Sequence, residues 1–140
     1  MIKHITELEA LEFVSQQEHK DEWHKDFHMW KKHLIVLANK WPQLKQFYRG
    51  AGKWLGFFDT ELKGVYWYNI SSDEIYDGYL ISSKPGIGIK LGRYLDSNIA
   101  WKTNWSLCDE KYLKFNKRLG FEVKDTGKIN DREVFLLWRQ

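Results

Sequence analysis

Ser82-Ser83-Lys84-Pro85-Gly86-Ile87-Gly88-Ile89-Lys90-Leu91-Gly92-Arg93-Tyr94-Leu95 is the stretch whose reading decides the fold. Before it, Tyr79-Leu80-Ile81 is a short apolar run suited to a buried strand, and within it Ile87, Leu91, Tyr94 and Leu95 fall at helical spacing. The order is strand, glycine loop, helix. Gly86 and Gly88 admit a ligand close to the backbone. The first-turn N–H groups of the helix lack internal partners, lie at the positive end of its dipole and face an anion. This is the outline of a phosphate cradle. Neither a Walker loop (Gly-x-x-x-x-Gly-Lys-Ser/Thr) nor a dinucleotide loop (Gly-x-Gly-x-x-Gly) is spelled here. Gly88 and Gly92 also share a helix face and permit close packing against a strand, so a tight turn without a ligand stands as the alternative.

Length and composition set the frame. The 140 residues, read as one domain over 1–140, suffice to bury a sizeable core, and no repeat or low-complexity segment divides them. Apolar runs such as Leu34 to Ala38 are too short to span a membrane, and no signal-peptide pattern opens the chain, so a cytoplasmic location is expected. The single cysteine, Cys108, excludes an internal disulfide framework. A net charge of +3 is too mild to announce nucleic acid. Eight Trp, seven Tyr and eight Phe supply either a stacking platform for bases or a core of bulky rings, and core packing is the commoner use.

Taken in order, Ile2 and Ile5 suggest a first strand and Leu8, Leu11 and Val14 a helix. His24 and His28 would share a helix face and could hold zinc, but His-Glu-x-x-His and a firm third ligand are missing, so no metal is expected. Met29 to Lys40 is a helix stopped by Trp41-Pro42. Trp54 to Phe58, Gly64 to Ile70 and Ile75 to Ser82 read as three strands whose short connections demand antiparallel neighbours. After the glycine loop come a strand within Ile99 to Leu107, a helix capped by Asp109 and stopped by Gly120, and two strands around turn residues Asp125 to Arg132.

Two stretches together resemble the GCN5-related N-acetyltransferase (GNAT) family. Ser83-Lys84-Pro85-Gly86-Ile87-Gly88 falls into the frame of its pyrophosphate loop, Arg/Gln-x-x-Gly-x-Gly/Ala, and Asp109 to Phe121 matches its later motif in length, best at Lys117-Arg118-Leu119-Gly120-Phe121. The resemblance implies an α+β fold: a mixed, mostly antiparallel sheet flanked by helices and V-splayed between strands 4 and 5, with acetyl-CoA in the opening. It also implies that the main chain of Ile81, Ser82 and Ser83 meets the pantetheine. Lys84, Gly86, Ile87, Gly88, Ile89 and Lys90 would hold the phosphates, with Asp109 at the second motif. Asp73, Glu74 and Asp77 are the candidate bases for the amine. Asn116 stands where the family commonly has the Tyr that protonates the departing thiolate, and an amide has no proton to release near neutral pH.

The expected function is transfer of an acetyl group from acetyl-CoA to an amine of unidentified structure. Ser83 for Arg or Gln, Asp109 for Asn and Asn116 for Tyr depart from the family pattern, and the absent Tyr together with the aromatic surplus favours a second reading, a binding or structural protein that keeps the fold without catalysis. The weakened motif is similar to acetyltransferase-like proteins of tailed phages. A third reading, a nucleic-acid binder using exposed Trp and Lys, predicts affinity that falls steeply with salt. Cys108 is expected to be a buried, inert thiol, since no His has a place beside it.

Overall fold

The computed structural model describes residues 1–18, 24–48 and 52–140. His19 and Trp23 lie outside the described residues. The order is β1 (Ile2–Ile5), α1 (Glu7–Ser15), α2 (Phe27–Leu37), a 3-10 turn (Pro42–Leu44), α3 (Lys45–Tyr48), β2 (Lys53–Asp59), β3 (Glu61–Ser71), β4 (Glu74–Ser82), α4 (Ile87–Asn98), β5 (Thr103–Asp109), a 3-10 turn (Glu110–Tyr112), α5 (Leu113–Arg118), β6 (Glu122–Ile129) and β7 (Arg132–Arg139).

Local chemistry sets the boundaries. Thr6 and Glu9 form a reciprocal capping box at α1, each side chain accepting from the other's backbone N–H at 3.1 Å. Asp26 caps α2 by accepting from the N–H groups of His28 and Met29. That cap starts the helix two residues before the expected Met29 and leaves His24 outside it, so His24 and His28 do not share a helix face. No cluster of metal-ligating side chains occurs among the described residues.

The sheet runs β1-β2-β3-β4-β5-β7-β6. From β2 to β4 the neighbours are antiparallel and no helix intervenes, as the sequence predicts. Their turns are tighter than the four or five residues expected, because Thr60 (φ 63°) and Ser72 (φ 58°) reverse the chain from the left-handed region. The β6–β7 reversal is a correction. The polar run after Asp125 continues β6 to Ile129, and only Asn130 and Asp131 (φ 48° and 66°) make the turn. A polar edge strand with a solvated face looks like a loop in sequence, whereas the Asn-Asp pair supplies the two positive φ angles of a tight hairpin.

Among the described strands β4 and β5 are the one parallel pair, and they pair only from Glu74↔Thr103 to Tyr76↔Trp105. Just beyond, β4 carries a bulge: Asp77 faces Tyr68, Tyr79 faces Trp67, and Gly78 is the extra residue between them. The strands then part, giving the splayed sheet. Trp30, Trp67, Tyr76 and Tyr79 pack under α1 and α2 on one face, and Leu55, Tyr66, Tyr68, Leu91 and Leu95 under α4 on the other. Trp30, Trp41, Trp54, Trp67 and Trp105 are buried, while Trp101 and Trp138 are half-buried, so the aromatic surplus fills the core and forms no stacking platform among the described residues. No described helix is long and apolar enough to cross a membrane.

Candidate functional site

The parting of β4 and β5 opens a cavity of about 230 Å³. β4 lines it with Asp77, Gly78, Leu80 and Ser82, and β5 with Ser106, Leu107 and Cys108. Tyr112, Phe115 and Asn116 close one side, Pro85, Gly86 and Gly88 stand at the mouth, and His24 and Tyr66 complete the wall. The Tyr79 hydroxyl donates to the His24 carbonyl at 2.9 Å, and the His24 ring meets Tyr112 edge-on with centroids 5.2 Å apart. By sequence His24 is only a metal candidate; its place here depends on the long-range bond from Tyr79.

Of the three candidate carboxylates, only Asp77 reaches the cavity. Asp73 sits exposed in the β3–β4 turn beside Lys102 at 3.4 Å. Glu74 accepts from Gln46 (2.6 Å) and from the Trp105 indole (3.2 Å), ahead of the opening. Neither lines the cavity, which corrects their expected place beside the amine. Asp77 is 1 % exposed, and burial raises its pKa from 3.8 to about 6. The Arg139 charge and the Asn104, Tyr66 and Ser106 side chains oppose that rise. The Ser106 hydroxyl lies close enough to this carboxylate to lower its pKa, but without the geometry of a full hydrogen bond.

At the mouth, the structure narrows the expected cofactor contacts. The Ser83 N–H and hydroxyl both donate to the Lys63 carbonyl, at 2.9 and 3.0 Å. Alternation along the ladder then turns the main chain of Ile81 toward β3 as well, leaving Leu80 and Ser82 to face the opening. The Ser83 N–H is therefore taken by β3, and neither Ile81 nor Ser83 lines the cavity. Gly86 takes φ 89° as the N-cap of α4, and a Cβ there would meet nothing within 4 Å. The first helical bond is Lys90 N–H to Gly86 carbonyl, long at 3.4 Å, so the N–H groups of Ile87, Gly88 and Ile89 have no helical acceptor. The Ile87 side chain is core, and Ile89 packs against the apolar cluster that contains Cys108 and Phe135, so both can offer only backbone.

Gly88 also has a packing role. A Cβ on it would lie 2.6 Å from Leu80 Cδ2 and 3.0 Å from Phe115 Cζ, so the glycine lets α4 approach β4 and α5. Lys84 and Lys90 border a shallow depression beside Gly86 that also includes Lys63, Phe57 and Asp59. Asp109 is another correction: it makes no side-chain cap bond, receives Arg132 Nη1 at 3.3 Å and does not line the cavity. β5 runs on to Asp109, beyond its expected end, so its carboxylate belongs to the sheet's pairing with the β7 side rather than to the helix.

Asn116 is buried on the cavity wall one turn after Tyr112, and its Nδ2 donates to the Tyr112 carbonyl at 3.0 Å. The Cys108 thiol beside it is pushed up to about 12 by burial and by the Asp109 charge, with the Asn116 amide pulling the other way. Cys108 is thus a protonated thiol near neutral pH. We expect it to resist iodoacetamide at pH 8 for hours in the native protein, read by intact mass, and rapid modification would contradict this burial.

No protein-family model matches the sequence, and no curated protein sequence matches it closely enough to count as a relative. Solved structures do match over nearly the whole chain. An acyl-CoA N-acyltransferase from Pseudomonas aeruginosa is 12% identical, with TM-score 0.55, covering 100% of this chain and 98% of its own. An N-acetyltransferase from Staphylococcus aureus Mu50 is 14% identical, with TM-score 0.59, over 99% and 100%. An aminoglycoside 6'-N-acetyltransferase complexed with coenzyme A is 13% identical, with TM-score 0.59, over 99% and 96%. At these identities the likeness establishes the fold. The chain has the GNAT fold, α+β with its sheet splayed between β4 and β5.

Proposed function

We propose that this protein transfers an acetyl group from acetyl-CoA to an amine. The carrying observation is the groove itself: two parted strands open onto a helix N-terminus with unpaired N–H groups, and an ionisable carboxylate, Asp77, stands at its closed end. Gly86 to Ile89 suit a pyrophosphate by their backbone, with Lys84 and Lys90 as flanking cations and the main chain of Leu80 and Ser82 as partners for an amide-bearing arm. Acetyl-CoA supplies the thioester. The neighbour complexed with coenzyme A supports this reading of the groove.

Asp77, ionised above about pH 6, takes a proton from the incoming ammonium, freeing the nitrogen lone pair for the thioester carbonyl. A C–N bond forms, the C–S bond breaks, and the thiolate receives a proton. Asn116 cannot give that proton, whereas the Tyr112 phenol one turn earlier lines the same wall and can. Positioning of the two reactants supplies much of the remaining acceleration. The Asn116 amide is also the observation that favours the non-catalytic reading.

The test is heat stability and turnover with acetyl-CoA. Binding to the native state alone stabilises by RT ln(1 + [L]/Kd), about 2.7 kcal/mol at a hundredfold excess over Kd. Lys84→Glu with Lys90→Glu should weaken binding roughly tenfold at low salt, on the scale of two exposed charge contacts. Lys63→Glu is a poor control because Lys63 shares their depression, so Lys53→Glu serves instead. No stabilisation at millimolar acetyl-CoA would sink the reading. Binding without transfer to any of a panel of polyamines, aminoglycosides and peptide amines would favour the non-catalytic protein.

A further inference from the structure

Asp77 is the visible end of a buried polar chain that crosses the sheet. Arg139, on β7, is 9 % exposed. Its guanidinium forks onto the Asp96 carboxylate of α4, Nη1 also donates to the Leu119 carbonyl, and its planar head lies 5.0 and 4.6 Å from the Trp101 and Phe121 ring centroids. Nε donates to Asn104 Oδ1 at 2.8 Å, so the guanidinium is held on every side.

That last bond has a consequence for Asn104, which is fully buried. Arg139 has no acceptor to offer, so the Asn104 oxygen must face it and the Asn104 amide group must face the other way. There it donates to Asp77 Oδ2 at 3.0 Å, with the Ile75 and Trp105 carbonyls at 3.4 and 3.3 Å. A buried cation fixes an amide, and the amide fixes a carboxylate. Asn104 also stands in the last parallel pairs of β4 and β5, opposite Ile75, where the groove begins. If the chain served stability alone, apolar residues of the same volume would pack as well or better.

We propose that Asn104 and Arg139 are positioning residues that hold the Asp77 carboxylate in one orientation at the closed end of the groove, charged and aimed at the amine. This rests on the reading of Asp77 as the proton acceptor. The groups that face Asp77 are Tyr66 on β3, Tyr76 on β4, Asn104 and Ser106 on β5, and Arg139 on β7, which carries the Asp96 charge of α4 with it. Across the cavity stand His24, Tyr112 and Asn116. Among the described residues Arg139 is the one cationic side chain in contact with this chain of groups, so its removal has a defined sign: Asp77 becomes harder to ionise.

The experiment follows Asp77 directly, by carbon NMR titration of its carboxyl in the full chain, and in parallel the pH dependence of kcat/KM for acetyl transfer. Arg139→Gln removes the charge while still reaching Asn104, and Asn104→Leu removes the donor. Both should move the Asp77 midpoint and the acid limb upward together by about one unit, a tenfold loss of ionised base below pH 6. Arg139→Lys should return the midpoint to the wild-type position. If Asn104→Leu fails to fold, Arg139→Gln carries the test. An Asp77 midpoint that stays put in Arg139→Gln overturns the positioning role. A midpoint that moves while Asp77→Asn keeps wild-type turnover overturns instead the assignment of Asp77 as base, and the positioning role with it.

Discussion

Asp77→Asn is expected to lower turnover at least a hundredfold and, in the same protein, to raise the melting temperature at pH 8. The first effect follows from removing a proton acceptor at the closed end of the groove, on the usual scale of general-base catalysis. The second follows from linkage. Burial raises the folded-state pKa of Asp77 from 3.8 to about 6, so the folded protein holds that proton more tightly than the unfolded chain. The stability gained from the protonated form is complete below the unfolded value and is lost as pH rises through about 6. At pH 8 the native state therefore carries a buried carboxylate at a cost of up to about 3 kcal/mol, which an isosteric amide avoids.

Asn can still accept from the Asn104 amide through its own oxygen, so the exchange keeps that hydrogen bond. Melting curves at pH 4, 6 and 8 check the pattern. The variant should match the wild type at pH 4 and exceed it at pH 8, while acetyl-CoA protects both. A variant equally destabilised at every pH would mean that Asp77 is a structural partner of Asn104 and Tyr66 and nothing more. An inactive but more stable protein is the signature of a charge kept for function.

The fold was legible because its decisive elements obey local rules. The strand, glycine loop and helix from Tyr79 to Leu95 show a change of period at the loop, and Gly120 supplies the positive φ (95°) expected of a helix stop. The site was legible only in part. Asp77 could not be told from Asp73 and Glu74 by sequence, since all three carboxylates flank one strand start, and the choice among them is made by a bulge at Gly78 and by the point where β4 and β5 cease to pair. Asn104 and Arg139 gave no signal, because a polar residue inside a strand acquires meaning only from its cross-sheet partner, 35 residues away in this case. Asp109 shows the opposite failure: a capping residue at the right place in sequence was claimed by Arg132 from the β7 strand.

Gly88→Glu is expected to unfold much of the protein at 37 °C, whether or not acetyl-CoA is present, and Gly86→Asp to leave the fold intact while abolishing protection by acetyl-CoA. The motif makes the two glycines look equivalent, but the space around them is different. At Gly88 a Cβ would already press Leu80 at 2.6 Å and Phe115 at 3.0 Å, and the rest of a Glu side chain would force a charge between β4 and α5 among apolar groups. Overpacking of that kind costs about 1–3 kcal/mol and an unpaired buried carboxylate several more, which together approach the whole stability of a domain. At Gly86 nothing lies within 4 Å, and although φ 89° strains most side chains, Asp tolerates the left-handed region better than most residues. Its carboxylate would sit at the free N–H groups of Ile87 to Ile89, cap α4 and occupy the place proposed for the pyrophosphate. Thermal melts with and without millimolar acetyl-CoA separate the two outcomes. A cooperative, wild-type melt for Gly88→Glu would refute the packing role of that glycine, and full protection of Gly86→Asp by acetyl-CoA would place the phosphates away from this helix end.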